Sequence, residues 1–315
     1  MTAPDELTGE RWAITEPGVY EMDDADYHRD PVASGSLSST GARRLLAPSC
    51  PAKFRWHQQH PEIKTEYDFG HAAHRAVLGI GAEIAVFGYD SWRTNAAKAD
   101  KAAAREAGLV PMLEPDADVV TAMADALRAH HVAGRLFQPG RGTAERTLVW
   151  PDHATGLMRR ARLDWITGGG DRKLIIADYK TCDRADPASC ARSIFTYGYH
   201  AQGDWYRDGA FELGLAGALG IGFVLVFQEK TAPYVVTVVE PDDEALLWGS
   251  VLNTKAIDVY RRCVATDTWP GYSIPGHPGT TDTDLMLAGL PPYAITGYER
   301  ARERGDYDTE GISIR

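Results

Sequence analysis

The sequence predicts an α/β protein: a central mixed β-sheet flanked by helices, with an N-terminal helical portion laid against it. Three observations predict it. Helix-forming segments crowd residues 36–135, runs of strand length follow at 143–150, 157–166 and 173–180, and a helical stretch, two more strand runs and a long amphipathic segment complete the order. Helices first, then three strands, a helix, two strands and a helix is the order of one sheet covered by helices.

Each element has its own local reason. Residues 1–35 are acidic and turn-rich, with aromatic anchors at Trp12, Tyr20 and Tyr27, and are expected to form an irregular arm on the body. Ser38-Ser39-Thr40-Gly41 offers several caps to a helix running through Ala42-Arg43-Arg44-Leu45-Leu46. A second short helix spans 51–60 and stops near Pro61, and a third spans 67–78. Ala, Lys and Glu dominate 95–108, a strongly helical composition, and 116–132 is a further amphipathic helix.

The character then changes to strands separated by Pro151-Asp152-His153 and by Gly168-Gly169-Gly170-Asp171, both turn-forming. A mostly helical stretch over 187–213 leads to strands at 221–227 and 234–239 around Lys230-Thr231-Ala232-Pro233. Residues 240–263 form a long helix whose opening acids, Asp242-Asp243-Glu244, suit a helix N-terminus. After Trp269 the chain is loop-rich, with Pro270, Pro275, Pro278, Pro291 and Pro292. The expected organisation is an arm over 1–35, a catalytic domain over 36–265 (helical part 36–135, sheet core 143–265) and a tail over 266–315 packed on that core.

Composition narrows the function. The 44% hydrophobic and 10% aromatic content is that of a globular chain. No stretch approaches the roughly 18 uninterrupted apolar residues of a membrane span. Residues 1–10 lack a basic segment followed by an apolar one, so a cytoplasmic location is expected. Cys50, Cys182, Cys190 and Cys263 include no CxxC pair, which argues against a zinc knuckle or redox motif. The net charge is −11, but it is unevenly spread. Residues 1–30 hold nine acids against two arginines and 240–315 hold thirteen against seven, whereas 146–207 hold ten Arg or Lys against seven Asp. A basic centre inside an acidic shell suits a protein that meets DNA only in a cleft.

The chemistry concentrates at Asp178-Tyr179-Lys180, which ends the apolar run Lys173-Leu174-Ile175-Ile176-Ala177. A buried strand has little reason to carry Asp and Lys two residues apart on one face. Asp164 lies fourteen residues earlier, a spacing that suits adjacent antiparallel strands joined by the glycine turn. Two carboxylates at one sheet end repel unless a cation sits between them, so they suit a hard, oxygen-seeking Mg²⁺. The lysine can steady charge that develops on phosphate.

Further candidates surround this core. Gly70-His71-Ala72-Ala73-His74 opens an apolar helix from which His74 can offer a neutral imidazole, while Gly70 lets another backbone approach. Gln202 and Tyr206, four apart, share a helix face and can hold the lysine, a water or a phosphate. Glu145 heads the first strand as a supporting group or further ligand. Arg160 and Arg162 share one strand face, with Arg159 on the other, and all three are candidates to clamp phosphates.

Together these pieces resemble the PD-(D/E)xK nuclease superfamily, and within it the RecE-type (exonuclease VIII-like) phage exonucleases. The resemblance runs from about Gly18 to Tyr293. It rests on Gly18-Val19-Tyr20, Asp26-Tyr27-His28, the segment from Ser36 to Ala42, Pro51-Ala52-Lys53-Phe54, GxxxH at Gly70 and His74, Asp164, Asp178-x-Lys180, QxxxY at Gln202 and Tyr206, Trp269-Pro270-Gly271-Tyr272 and Leu290-Pro291-Pro292-Tyr293-Ala294.

The resemblance implies a restriction-endonuclease-like core and Mg²⁺-dependent degradation of linear double-stranded DNA, with Mn²⁺ as a substitute. Digestion would run 5′ to 3′ and leave a 3′ overhang for a RecT-type single-strand annealing protein, in phage-type homologous recombination. It also implies a homotetrameric ring around the DNA, in the cytoplasm of the host cell if the chain is phage-encoded. His74, Asp164, Asp178 and the backbone carbonyl of Tyr179 would bind metal. Lys180 would orient the attacking water or stabilise the phosphate charge, with Gln202 and Tyr206 in support. Arg43, Arg44, Lys53, Ser36, Ser38 and Ser39 would hold a 5′-phosphate end. The chain departs from many relatives in using Asp178 where they carry Glu. Cys263 stands alone near the end, so no iron–sulfur cluster is expected, and the absence of a GxxxxGK[ST] motif argues against ATP use. The alternatives are a RecB- or CRISPR-adaptation-type nuclease acting on single strands or as an endonuclease, and a catalytically inactive DNA-binding module.

Overall fold

The computed structural model describes residues 12–60, 68–272 and 289–307 of the 315-residue chain. Two compact units are present, Met1–Trp269 and Pro270–Arg315. In the first, β1 (Gly18–Glu21) and α1 (Asp24–His28) precede β2 (Leu37–Ser38), which runs directly into α2 (Ser39–Leu45). Ser38 caps that helix: its hydroxyl accepts the Gly41 N–H at 3.1 Å. Next come α3 (Pro51–Gln59), α4 (Asp68–Leu78), β3 (Ile84–Phe87), α5 (Asn95–Glu106), β4 (Val110–Leu113), α6 (Glu114–Ala129) and α7 (Ala133–Leu136).

The sheet core follows: β5 (Gly142–Pro151), β6 (Met158–Thr167), β7 (Leu174–Cys182), α8 (Pro187–Thr196), α9 (Tyr199–Glu212), β8 (Ile221–Glu229), β9 (Val236–Val239) and α10 (Asp243–Thr266). Asp242 caps α10 through the Ala245 N–H at 2.8 Å, with Asp243 and Glu244 in its first turn. The second unit contains α11 (Pro292–Glu303), a helix where the proline count suggests loop. Pro292 sits at its start, where a missing N–H costs nothing.

Among the described residues the main sheet has seven strands in the order β1-β5-β6-β7-β8-β9, with β2 added beside β6; β3 and β4 form a separate parallel pair. The β7–β8 and β2–β6 pairs are parallel and the other pairs of the main sheet are antiparallel, so the sheet is mixed as expected. One expectation is corrected. The arm is not wholly irregular: Gly18–Glu21 joins the sheet edge against β5. The mostly helical stretch over 187–213 is two helices divided at Gly198, whose φ of 66° belongs to the left-handed region that glycine tolerates.

Two cores lie on opposite faces of the sheet. One packs Leu174 and Ile176 of β7 against α9, α2 and α10 through Trp205, Tyr206, Ala42 and Tyr260. The other packs Ala177 and Tyr179 of the same strand against α4, α6 and α7 through Ala73, Leu127 and Phe137. On β6, Leu163 belongs to the first core and Trp165 to the second, although residues two apart on a regular strand share a face. The change of face falls at Asp164. Opposite it on β5 stands Glu145, whose φ of 51° is rare for a side chain larger than glycine.

Candidate active site

The site begins where β6 parts from its neighbour. β7 pairs with β6 from Thr167 only as far as Trp165, opposite Ala177. Farther back along the same strand, Arg159 and Arg160 take β2 as their partner. Between these two pairings β6 forks away from β7, and Asp164 stands at the fork. Its Oδ2 accepts the Tyr179 backbone N–H at 2.9 Å, replacing the missing ladder bond. In an extended strand the N–H and C=O of one residue point to the same side, so the Tyr179 carbonyl also faces the fork.

α4 brings the third group. Ala72 and Ala73 are fully buried, wedging the helix against the second core and β4. This places the His74 ring 5.1 Å from the Tyr179 ring, nearly edge-on, and its Nδ1 3.7 Å from Asp164 Oδ2. His71 is exposed. No atom of this chain packs close to Gly70: a Cβ there would meet nothing within 4 Å, so the position is open.

On the other side of the fork, Asp178 is 1% exposed and ion-paired with Lys180. Gln202 donates from Nε2 to Asp178 Oδ1 at 2.7 Å and to the Tyr206 hydroxyl at 2.9 Å. The Gln–Tyr pair therefore positions the acid. Lys180 lies over the ring of Tyr199, 5.1 Å from its centroid. Tyr199 is a site residue that the sequence reading missed. Its signal was its place three residues before Gln202, on the same helix face.

Electrostatics separate the four groups. Burial, with help from the Lys180 charge, pushes His74 down to about 4, so its imidazole is neutral at physiological pH. Burial raises Asp178 to about 6, and the neighbouring Asp164 charge adds to the rise. Burial likewise raises Asp164. Burial opposes the charge on Lys180, but Asp178 and Asp164 outweigh it and hold its pKa above the ordinary lysine value.

These residues fit a divalent cation. Asp178 Oδ2 is buried and meets the Lys180 ammonium without forming a hydrogen bond of good geometry, so an anionic oxygen is left under-coordinated. Each carboxylate has one oxygen fixed by a protein N–H, which orients it and leaves the other to the site. Two carboxylates, a neutral imidazole and a main-chain carbonyl form an oxygen-rich donor set suited to Mg²⁺ or Mn²⁺. Among the described residues no three His, Cys, Asp or Glu side chains already stand grouped as a cage. The groups of the site stand as two pairs, His74–Asp164 and Asp178–Lys180, joined through Tyr179.

Several expected DNA contacts turn out to belong to the scaffold. Arg159 is buried between Trp150 and Trp205, with its guanidinium 5.1 and 5.5 Å from their rings, and pairs with Asp208 at 2.6 Å. Facing the first core, it cannot reach a phosphate. Arg160 pairs with Asp30 at 3.0 Å and donates to the Ser36 hydroxyl at 2.8 Å. Arg162 pairs with Glu145 at 2.8 Å and donates to the Met22 carbonyl, which ties Glu145 to a supporting place beside Asp164. Ser36 and Ser39 are buried, and Ser38 is the α2 cap, so the serines are corrected from phosphate binding to local structure. Arg43 lies against the α8–α9 turn and donates to Thr40 at 3.2 Å and Ser39 at 3.4 Å. Arg44 and Lys53 are exposed on α2 and α3.

The family model described as a PDDEXK-like domain of unknown function (DUF3799) matches residues 49–275. A crystal structure described as "Putative exonuclease" from Eubacterium rectale has a TM-score of 0.53 at 10% identity, covering 93% of this chain and 100% of that one, a likeness of fold. A second, described as an alkaline exonuclease (LHK-Exo) from Laribacter hongkongensis, has a TM-score of 0.23 at 13% identity, covering 65% of this chain and 96% of that one; a likeness so slight has no bearing on the fold. No curated protein matches the sequence.

Proposed function

The chain belongs to the PDDEXK-like DUF3799 family, within the PD-(D/E)xK nuclease superfamily, and on that premise we propose that it is a Mg²⁺-dependent exodeoxyribonuclease acting on the ends of linear double-stranded DNA. It digests 5′ to 3′ and leaves 3′ single-stranded overhangs. A RecT-type annealing protein uses these in phage-type recombination, in the cytoplasm. The working form is a homotetrameric ring, and Mn²⁺ replaces Mg²⁺. Hydrolysis needs no ATP and no iron–sulfur cluster.

The observation that carries this reading is the fork at Asp164, where two carboxylates, an imidazole and an ammonium gather around Tyr179. His74, Asp164, Asp178 and the Tyr179 carbonyl would hold the ion. When bound, Mg²⁺ supplies a Lewis acid that draws charge from a phosphate oxygen and acidifies water. Lys180, kept protonated by its two acids, is a cation at neutral pH and not a base. Its part is to stabilise negative charge on the phosphate during attack. Gln202, backed by Tyr206, keeps Asp178 in its rotamer. Arg43, Arg44 and Lys53 hold the 5′-phosphate end of the DNA.

The test is digestion of a linear duplex labelled at its 5′ or 3′ end, with and without a 5′-phosphate, beside a closed circle. Early release of 5′-label and an intact circle are expected. Cutting of the circle overturns exonuclease action, and early release of 3′-label overturns the polarity.

A further inference from the structure

The turn between α8 and α9 exposes aromatic rings beside the site. Phe195 is 80% exposed and Tyr197 59% exposed, two large apolar rings within three residues. Single exposed apolar residues are ordinary, but large exposed rings gathered within a few residues of a candidate site are a mark of binding. Tyr197 is continuous with the chemistry. The Tyr197 ring lies 5.6 Å from that of Tyr199, tilted by 33°. Tyr199 in turn lies beneath Lys180 at 5.1 Å and packs on the buried Phe227 at 6.1 Å.

The turn is also held in place. His200 Nδ1 lies 3.1 Å from the Ile194 carbonyl, and Asp186 caps α8 through the Ser189 N–H at 3.1 Å. Gly198 packs so closely that a Cβ there would come within 2.6 Å of Arg43 Cδ, which brings the Arg43 side chain against the turn. Arg192 is exposed on the same helix as Phe195. Exposed rings among cations, leading to a phosphate-cleaving centre, are the chemistry that receives unpaired bases and their backbone together.

We propose that Phe195 and Tyr197 form an aromatic step on which the bases of an unpaired DNA strand stack while its backbone enters the Asp164–Asp178–Lys180 site. The proposal rests on the nuclease reading and adds a base-contacting surface to it. Stacking on a ring suits every base, so the step confers grip on unpaired nucleotides without sequence preference.

The test is fluorescence anisotropy in EDTA, where no cleavage intervenes. The probes are a labelled sixteen-nucleotide oligo-dT and an abasic strand with the same phosphates. Phe195→Ala and Tyr197→Ala are each expected to weaken oligo-dT binding about tenfold. Both should bind the abasic strand as wild type does and keep the wild-type salt slope, since phosphate contacts are untouched. Phe195→Trp should restore binding. Unchanged oligo-dT affinity, or equal loss on both strands, overturns the proposal. So does a change in sedimentation of the alanine variants, which would make the rings a contact between copies of the chain. Wild type that binds neither strand also overturns it; only if wild type also fails to digest duplex DNA in Mg²⁺ does the nuclease reading fall with it.

Discussion

The carboxylate of Asp164 holds the backbone N–H of Tyr179 at 2.9 Å, across the gap where β6 leaves β7. This one bond sets the position of an acid on one strand against the backbone that carries Asp178 and Lys180 on the next. The bond ties the two halves of the site to one another. Tyr179 is anchored from behind, because its hydroxyl donates to Gln228 at 2.6 Å and the Gln228 amide donates to the Met123 carbonyl at 2.8 Å. A chain of hydrogen bonds thus runs from α6 through Gln228 and Tyr179 to Asp164 at the fork.

A cation that binds only the folded donors adds stability by mass action, about 2.7 kcal/mol at a hundred times its dissociation constant. Thermal unfolding in Mg²⁺ against EDTA is expected to show a clear rise in melting temperature for wild type and none for Asp164→Asn or Asp178→Asn. A full rise in either variant would remove that residue from the ion's donors.

In the metal-free protein His74 and Asp178 pull the pH dependence of stability in opposite directions. The imidazole titrates at about 4 when folded and near 6.5 otherwise. Its contribution is present above pH 6.5 and is lost as pH falls through 4. The Asp178 carboxyl titrates at about 6 when folded against 3.8 otherwise, so its contribution is present below pH 3.8 and is lost as pH rises through 6. Each is worth at most about 3 kcal/mol. Asp164, also raised, works with Asp178. Urea unfolding in EDTA should show Asp178→Asn gaining stability from pH 4 to 6.5 relative to wild type, and His74→Gln losing it from pH 4 to 6. Parallel profiles for the two variants contradict the assignment.

Arg159 is part of the core. Arg159→Ala removes the ion-pair partner of the part-exposed Asp208, which keeps its hydrogen bond from Trp150, and opens the space between Trp150 and Trp205; it is expected to cost roughly 1–3 kcal/mol in chemical denaturation. DNA affinity and its salt slope in the folded variant should stay as in wild type. A slope reduced by about one phosphate would mean that Arg159 meets the DNA.

Most of the fold was legible because its signals are local. The apolar runs of β5, β6 and β7 and the caps of α2 and α10 declare themselves within a few residues. β1, β2, β3 and β4 did not, because strands of two to four residues have too little period to read and owe their conformation to distant partners. The acid–lysine strand, Asp164 and His74 were legible because their chemistry is costly in a buried setting. The arginines misled: on a strand, Arg159 and Arg160 look alike, and only the tertiary fold shows one between two tryptophans and the other against Asp30. Tyr199 was passed over because its one signal, a place three residues before Gln202 on the same helix face, gains meaning only when the lysine is placed above its ring.

The central claim is tested most directly by digestion of linear duplex DNA in Mg²⁺ with wild type, Asp178→Ala and Lys180→Ala, each confirmed as folded by its unfolding transition. Wild type is expected to degrade the duplex, and each variant to lose roughly a hundredfold to a thousandfold or more in rate. Either variant digesting the duplex at near the wild-type rate would contradict the account.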